Sequence, residues 1–385
     1  MINLSVPNLK GNESLYIQEC IETEWVSSVG KYVEVFEERI AKYTGSKFAV
    51  ACTSGTSALH LSLIVSGVCP NDEVLVPTMT FIATPNSVSY LNAVPVFMDC
   101  DEFYNIDVKK VISFIKGHTY TKLGFTYNKN TNRRIMAIIP VHVSGNAVDL
   151  DSLVDICNER NIKIIEDAAE ALGTSYTKGK LKGKHVGTVG LLGCLSFNGN
   201  KIITSGGGGM IITNDSLLAE RAKYLSTQAN DDSQHYIHNE IGYNYRLTNI
   251  QAALGVAQLE KLPNFIKKKK YIHGFYKKNI KSLTELKVSQ VPPYASNNHW
   301  MTSIQVNLKN ATENKEKLLY YLSSCNIQSR PMWHLCHNQL PYKKNESFLI
   351  ENAYNLHNQT LNIPCSTGIK DEELVEVVKK LNDFF

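Results

Sequence analysis

The chain has 385 residues, 43% hydrophobic and 20% charged, with a formal net charge of +4; this is an ordinary globular composition, with room for one large and one smaller domain. The charge is spread along the chain rather than gathered into a nucleic-acid-binding patch, and no run approaches the roughly 18 apolar residues of a membrane span. Nine cysteines, an odd number without a CxxC pair, argue for a reducing, cytoplasmic setting rather than a disulfide framework or zinc site, and MINLSVPNLKGNE lacks the basic-then-apolar pattern of a signal peptide.

From about residue 46 to 215 short apolar runs alternate with helical periodicity. Phe48–Cys52 predicts a strand and Ser57–Val65 a helix, then Glu73–Val76 a strand and Ala83–Leu91 a helix. Further strands are predicted at Val94–Met98, Ile135–Ile139, Ile162–Ile165 and Met210–Ile212. The alternation implies crossover helices on a mostly parallel sheet, with a ligand crevice at the strand ends. Lys122–Arg134, rich in Asn, Thr, Lys and Tyr, reads as a surface hairpin or loop inserted before the Ile135 strand. After Thr248 long helical patterns take over, Asn249–Lys261 and Phe265–Leu283. A strand-like Trp300–Val306 and helices at Glu313–Cys325 and Asp371–Asn382 follow. This change divides the α/β chain into a large domain with an N-terminal arm, residues 1–261, and a small C-terminal α/β domain, residues 262–385. The run Lys267–Lys270 reads as a solvated helix face rather than a nucleic-acid patch.

Chemistry is concentrated in a few strings. TSGTSALHLSL, Thr53–Leu63, is a strand end, a turn and a helix start, where the N–H groups of Gly55 and Thr56 would seat a phosphate. A plainly capped helix is the alternative, and without a following GK[ST] it is not a Walker loop. EDAAEALG, Glu166–Gly173, puts Asp167 directly after a buried apolar run. A carboxylate there needs a cationic partner, which a protonated pyridine nitrogen supplies; a helix-capping Asp is the alternative. Glu170, one turn on, is within reach of that ring's phenolic oxygen.

SFNGNKIITSGGGG, Ser196–Gly209, sets Lys201 between a serine-bearing turn and four glycines. Ser196 can donate to a phosphate, and the glycines leave room for close approach. A lysine able to form a Schiff base and an acid that keeps a pyridine protonated are what pyridoxal phosphate (PLP) requires of a protein. Phe81, in TFIAT, either stacks on such a ring or belongs to the core. Asn244 and Arg246, in IGYNYRLTN, form an anion site or a polar loop. His142, His334 and His337 suit substrate or cofactor contacts better than a metal, for which no third ligand is suggested.

SGTSALH, EDAAEALG, SFNGNK and GYNYRLTNIQAALG, in this order, resemble the signatures of the DegT/DnrJ/EryC1/StrS family of PLP-dependent nucleotide-sugar aminotransferases. The likeness runs from WVSSVGKYVEVFE at Trp25–Glu37 to RPMWHLCH at Arg330–His337. It implies the aspartate-aminotransferase (type I PLP) fold and a homodimer with shared active sites. Lys201 would be the Schiff-base lysine and Asp167 the pyridine-nitrogen partner. Gly55, Thr56 and Ser196 would hold the phosphate, helped by the partner subunit's Asn244. Phe81 would stack on the ring, with Glu170 beside its phenolic oxygen and Asn198 among the cofactor contacts. Ser28, His142, Arg246, His334 and His337 would face substrate.

The cofactor would alternate between PLP and pyridoxamine phosphate, with L-glutamate as donor and a UDP- or GDP-linked 4-keto-6-deoxy sugar as acceptor at carbon 4. SVPNLKGNESLYIQECIETEWVSSVG, the Lys122–Arg134 insertion and the glycine run resemble the legionaminic-acid and bacillosamine branch. That predicts a 2-acetamido sugar destined for a surface polysaccharide. GDP-perosamine synthases share the SFNGNK core and are the nearest competitor. Sugar dehydratases of this family carry histidine in place of Lys201, and a non-enzymatic regulator would have no use for Lys201 with Asp167.

Overall fold

The computed structural model describes residues 1–280, 284–307 and 311–385. Two helices, α1 (Glu13–Glu22) and α2 (Lys31–Thr44), lead in. α2 buries Tyr32, Val33, Phe36 and Ile40 at helical spacing and stops at Gly45, which takes the left-handed conformation. The chain then alternates through β1 (Phe48–Cys52), α3 (Gly55–Val65), β2 (Glu73–Pro77), α4 (Ala83–Ser89), β3 (Val94–Met98) and α5 (Val108–His118). A hairpin of β4 (Thr119–Lys122) and β5 (Phe125–Asn128) precedes β6 (Ile135–Ile138), α6 (Asp151–Glu159) and β7 (Lys163–Asp167). Next come the short β8 (Ser175–Tyr176), β9 (Leu192–Ser196), β10 (Gly209–Thr213), α7 (Ser216–Ser226) and the long α8 (Asn249–Asn279). The remaining elements are β11 (Leu286–Val288), β12 (Ala295–Ser296), β13 (Thr302–Val306), α9 (Ala311–Ser324), β14 (Arg330–Pro331), β15 (Ser347–Phe348), α10 (Asn352–Gln359), β16 (Thr360–Ile363) and α11 (Asp371–Phe384).

An eight-stranded sheet of order β1-β10-β9-β7-β6-β2-β3-β15 forms the centre, and β10 runs against the others. Every residue of β2, β6 and β10 is buried. Coverage of both faces explains why these strands read as continuous apolar runs rather than as alternation. The hairpin expected within residues 122–134 is present and begins slightly earlier, at Thr119. Strand β9, LGCLS, is absent from the sequence-based assignment because its sequence is poor in strand formers. Gly193 has no alternative: a Cβ there would lie 2.1 Å from the Gly187 carbonyl oxygen.

Pro263 does not divide α8, and Leu283, the expected end of the second helix, lies outside the described residues. Losing one hydrogen bond to proline is outweighed because both halves are anchored, Val256, Leu259 and Leu262 in the large core and Ile272 and Tyr276 in the small one. The division at residue 262 therefore falls inside a continuous helix. The small core also holds Leu318, Leu322, Leu361, Leu374 and Val377, over an antiparallel sheet of order β11-β13-β16-β14. Met332, Leu335, Cys336, Tyr342, Ala353 and Leu356 return to the large core, while Ile2 bridges to Ile327 beside the small sheet. Within the lysine run, Lys269 is only 2% exposed, so that face is not wholly solvated.

Candidate active site

The C-terminal ends of β1, β7 and β9 open onto a cavity of about 350 Å3 that meets the N-terminus of α3. Gly55, Thr56, Phe81, Asp167, Glu170, Ser196, Asn198 and Lys201 all line it, together with Thr84, Asn200, Trp300 and Trp333. Parallel strands place ligands at their carboxyl ends in this way, so four separate sequence strings converge on one space.

Asp167 ends β7 and is 5% exposed. Its Oδ2 accepts from Thr84 Oγ1 at 2.9 Å and its Oδ1 from the Ala169 N–H at 3.1 Å. Burial pushes its carboxyl above the ordinary value, and these two hydrogen bonds only partly oppose that. Among the described residues no cationic side chain pairs with it, so this buried acid is built for a cation from elsewhere. Glu170, also 5% exposed, accepts the Ser144 N–H at 2.8 Å and Lys201 Nζ at 3.3 Å. Burial raises its carboxyl too, against the pull of Lys201.

The phosphate seat follows from a helix start. Ser54 caps α3 by accepting the Ser57 N–H, at 3.0 Å. That leaves the N–H groups of Gly55 and Thr56 without an internal partner among the described residues, at the positive end of the helix and at the cavity wall. Gly209 permits the approach, since a Cβ there would stand 2.4 Å from the Ser54 carbonyl. Gly209→Ala is therefore expected to displace the α3 start. Absorbance titration should show at least about tenfold weaker cofactor binding, and thermal unfolding a loss of about 1–3 kcal/mol.

The DegT/DnrJ/EryC1/StrS aminotransferase family matches residues 7–382. The chain belongs to that family. It is a PLP-dependent sugar aminotransferase. Among its relatives is a GDP-perosamine synthase of Caulobacter vibrioides, 36% identical over 99% of this chain and 97% of that one. Another is a GDP-perosamine synthase of Escherichia coli O157:H7, also 36% identical, over 98% and 97%. Helicobacter pylori PseC, an aminotransferase involved in the biosynthesis of pseudoaminic acid, superposes with a TM-score of 0.89 at 24% identity, covering 100% and 99% of the two chains. That likeness shows the fold, the aspartate-aminotransferase (type I PLP) class.

The cavity of this aminotransferase suits PLP on its own chemistry. The helix start offers N–H groups to a phosphate, the buried Asp167 offers a negative charge to a pyridinium, and Lys201 reaches the same space. When bound, PLP supplies an electron sink for the carbanion formed next to the transferred nitrogen.

Six expected site residues lie outside this cavity. His142 is fully buried beneath it: Nδ1 accepts the Val148 N–H at 3.1 Å, so the proton sits on Nε2 and is donated to Glu166 Oε2 at 2.9 Å. Burial would raise Glu166's carboxyl, but that bond and the N–H groups of Gly190 and Gly187 hold it below the ordinary value. His142 is thus a structural brace, not a substrate contact. Arg246, 9% exposed, is bound to Glu37 Oε1 at 2.8 Å and packs against the Ala51 carbonyl, which removes it from the expected anion site of this subunit. His337 is held by Thr78 Oγ1 and by Tyr354 OH at 2.8 Å, and burial lowers its pKa. His334 is exposed and packs edge-on to His357. Ser28 is half-buried on the N-terminal segment, and Asn244 is exposed. Thr84, which holds Asp167, is the last residue of TFIAT, where only Phe81 was expected in the site, and nothing local marked Trp300 or Trp333 as cavity walls.

Proposed function

We propose that this enzyme transfers the amino group of L-glutamate to carbon 4 of GDP-4-keto-6-deoxymannose, the perosamine-type reaction of surface-polysaccharide synthesis. The observation that carries this reading is the near full-length identity of 36% to two GDP-perosamine synthases. The 2-acetamido acceptor expected from the N-terminal segment and the 122–134 insertion has no comparable support and gives way to it.

In this reading Lys201 holds the cofactor and carries protons, Asp167 keeps the pyridine nitrogen protonated, and Glu170 stands beside the phenolic oxygen. Gly55, Thr56 and Ser196 hold the phosphate, Asn198 lines the cofactor's surroundings, and Phe81, 56% exposed at the cavity mouth, covers the ring. The test is kcat/KM with glutamate as donor. GDP-4-keto-6-deoxymannose is expected to exceed the UDP-linked 2-acetamido-4-keto sugar by about 100-fold or more, because the base differs and a pocket shaped for a 2-hydroxyl clashes with the larger acetamido group. The reverse preference would return the enzyme to the 2-acetamido branch.

The active unit is a homodimer in which the partner subunit's Asn244 completes each phosphate site. Trp25, Val26, Val29 and Ile241, 44–84% exposed, give the apolar surface such a dimer needs. Mixing inactive Lys201→Ala and Asn244→Ala subunits should restore part of the activity, since one site per heterodimer escapes both lesions. Full activity in a monomer would contradict this. The nine free thiols suit a cytoplasmic setting, and among the described residues no helix is long and apolar enough to cross a membrane.

A further inference from the structure

Lys201 Nζ stands between two groups. On one side is Glu170 Oε1 at 3.3 Å, and on the other the face of Trp300, whose ring centroid is 4.2 Å away. The lysine side chain is 13% exposed and Trp300 4%. The indole is fixed from several directions. Its Nε1–H donates to the Asn200 carbonyl at 2.6 Å, and its own carbonyl accepts from buried Lys269 Nζ at 2.8 Å. The Trp300 N–H donates to Asn298 Oδ1 at 2.9 Å, while Asn298 Nδ2 donates to the Glu170 carbonyl at 2.9 Å. One fully buried amide thus ties together the two residues that flank Lys201.

We infer that Trp300 is a positioning residue for Lys201: its π face and the Glu170 carboxylate form a seat for the ammonium form of the side chain. A π face attracts an ammonium far more strongly than a neutral amine, most of all where water is excluded. The inference rests on Lys201 being the proton carrier proposed above. In that role Nζ would take the proton from the donor's α-carbon, with the bound cofactor supplying the sink for the C–H electron pair. Nζ then holds the proton as an ammonium until it is given up again. Trp300 defines where the charged nitrogen waits, in the cavity that would hold the cofactor. Its backbone and indole N–H contacts hold the ring through groups other than the lysine.

The test follows the glutamate half-reaction in purified holoenzyme, without acceptor, through the loss of the cofactor's yellow colour. Trp300→Leu is expected to slow this step about tenfold, the scale of one desolvated cation–π contact. The KM for glutamate and the affinity for cofactor should stay within about twofold of wild type, and Trp300→Phe should recover most of the rate. Site-specific incorporation of mono- and difluorotryptophan at position 300 drains the π face at nearly constant shape, and should slow the step progressively with each fluorine.

A rate unchanged in Trp300→Leu and flat across the fluorinated series would overturn the inference. So would equal losses in Leu and Phe accompanied by weakened cofactor binding, the signature of a residue that only fills space. A wild-type enzyme whose colour does not respond to glutamate would instead overturn the site assignment and this inference with it, which keeps the two failures distinguishable.

Discussion

Lys201→Ala is expected to reduce turnover by at least about 10^3-fold while leaving the fold and cofactor binding largely intact. Two losses combine in this variant: the covalent attachment point and the group that moves protons at the reacting carbon, each worth orders of magnitude in rate. Retention of the fold follows from the surroundings, because Lys201 sits in a turn and, among the described residues, the polar and cation–π contacts of its Nζ are to Glu170 and Trp300. The phosphate seat at α3 and the carboxylate at Asp167 do not depend on it. Steady-state turnover, an absorbance titration with PLP and a thermal melt separate the three effects. Turnover near the wild-type level would remove Lys201 from its assigned role.

Asp167→Asn is expected to be nearly as damaging, with turnover reduced about 10^2- to 10^3-fold and weaker cofactor binding. The amide keeps the size of the side chain and can keep contacts to Thr84 and Ala169, but it cannot pair with a pyridinium. Removing one partner of a buried ion pair is strongly unfavourable. The same substitution should act in the opposite direction on protein stripped of cofactor. Burial raises the Asp167 carboxyl above its ordinary 3.8, so the folded state holds its proton to higher pH than the unfolded chain does. Its contribution is fully favourable below 3.8 and is lost as pH rises from there through the raised folded value. Cofactor-free Asp167→Asn should therefore melt above cofactor-free wild type at pH 7 and show little advantage at pH 3.5. A lower melting point at pH 7 would show that the carboxylate is not held against the cost of its burial.

What the sequence discloses here depends on whether a role is written locally. Asp167 follows its own apolar strand, and Lys201 lies within one short string with Ser196 and Gly209, so both were legible before any contact was known. The strands with β-branched runs were legible for the same reason. Residues whose role depends on distant partners were not. Thr84 meets Asp167 across 83 positions, and Trp300 meets Asn200 across 100. Arg246 was expected to form an anion site with Asn244, a polar loop being the alternative; its partner, Glu37, lies 209 residues earlier. His142 is a subtler case. A histidine just past a strand end reads the same whether it faces the crevice or lies beneath it, and only the packing of Val148 and Glu166 around the ring decides. Pro263 shows the complementary error, a local helix breaker overruled by anchoring on both sides.

The central assignment, that Lys201 is the residue joined to PLP in the cavity it shares with Asp167, is tested most directly by reducing the holoenzyme with borohydride and mapping its peptides by mass spectrometry. The predicted result is the reduced cofactor's mass on the single peptide that contains Lys201. Recovery of that mass on any other lysine, the buried Lys269 included, would contradict the account.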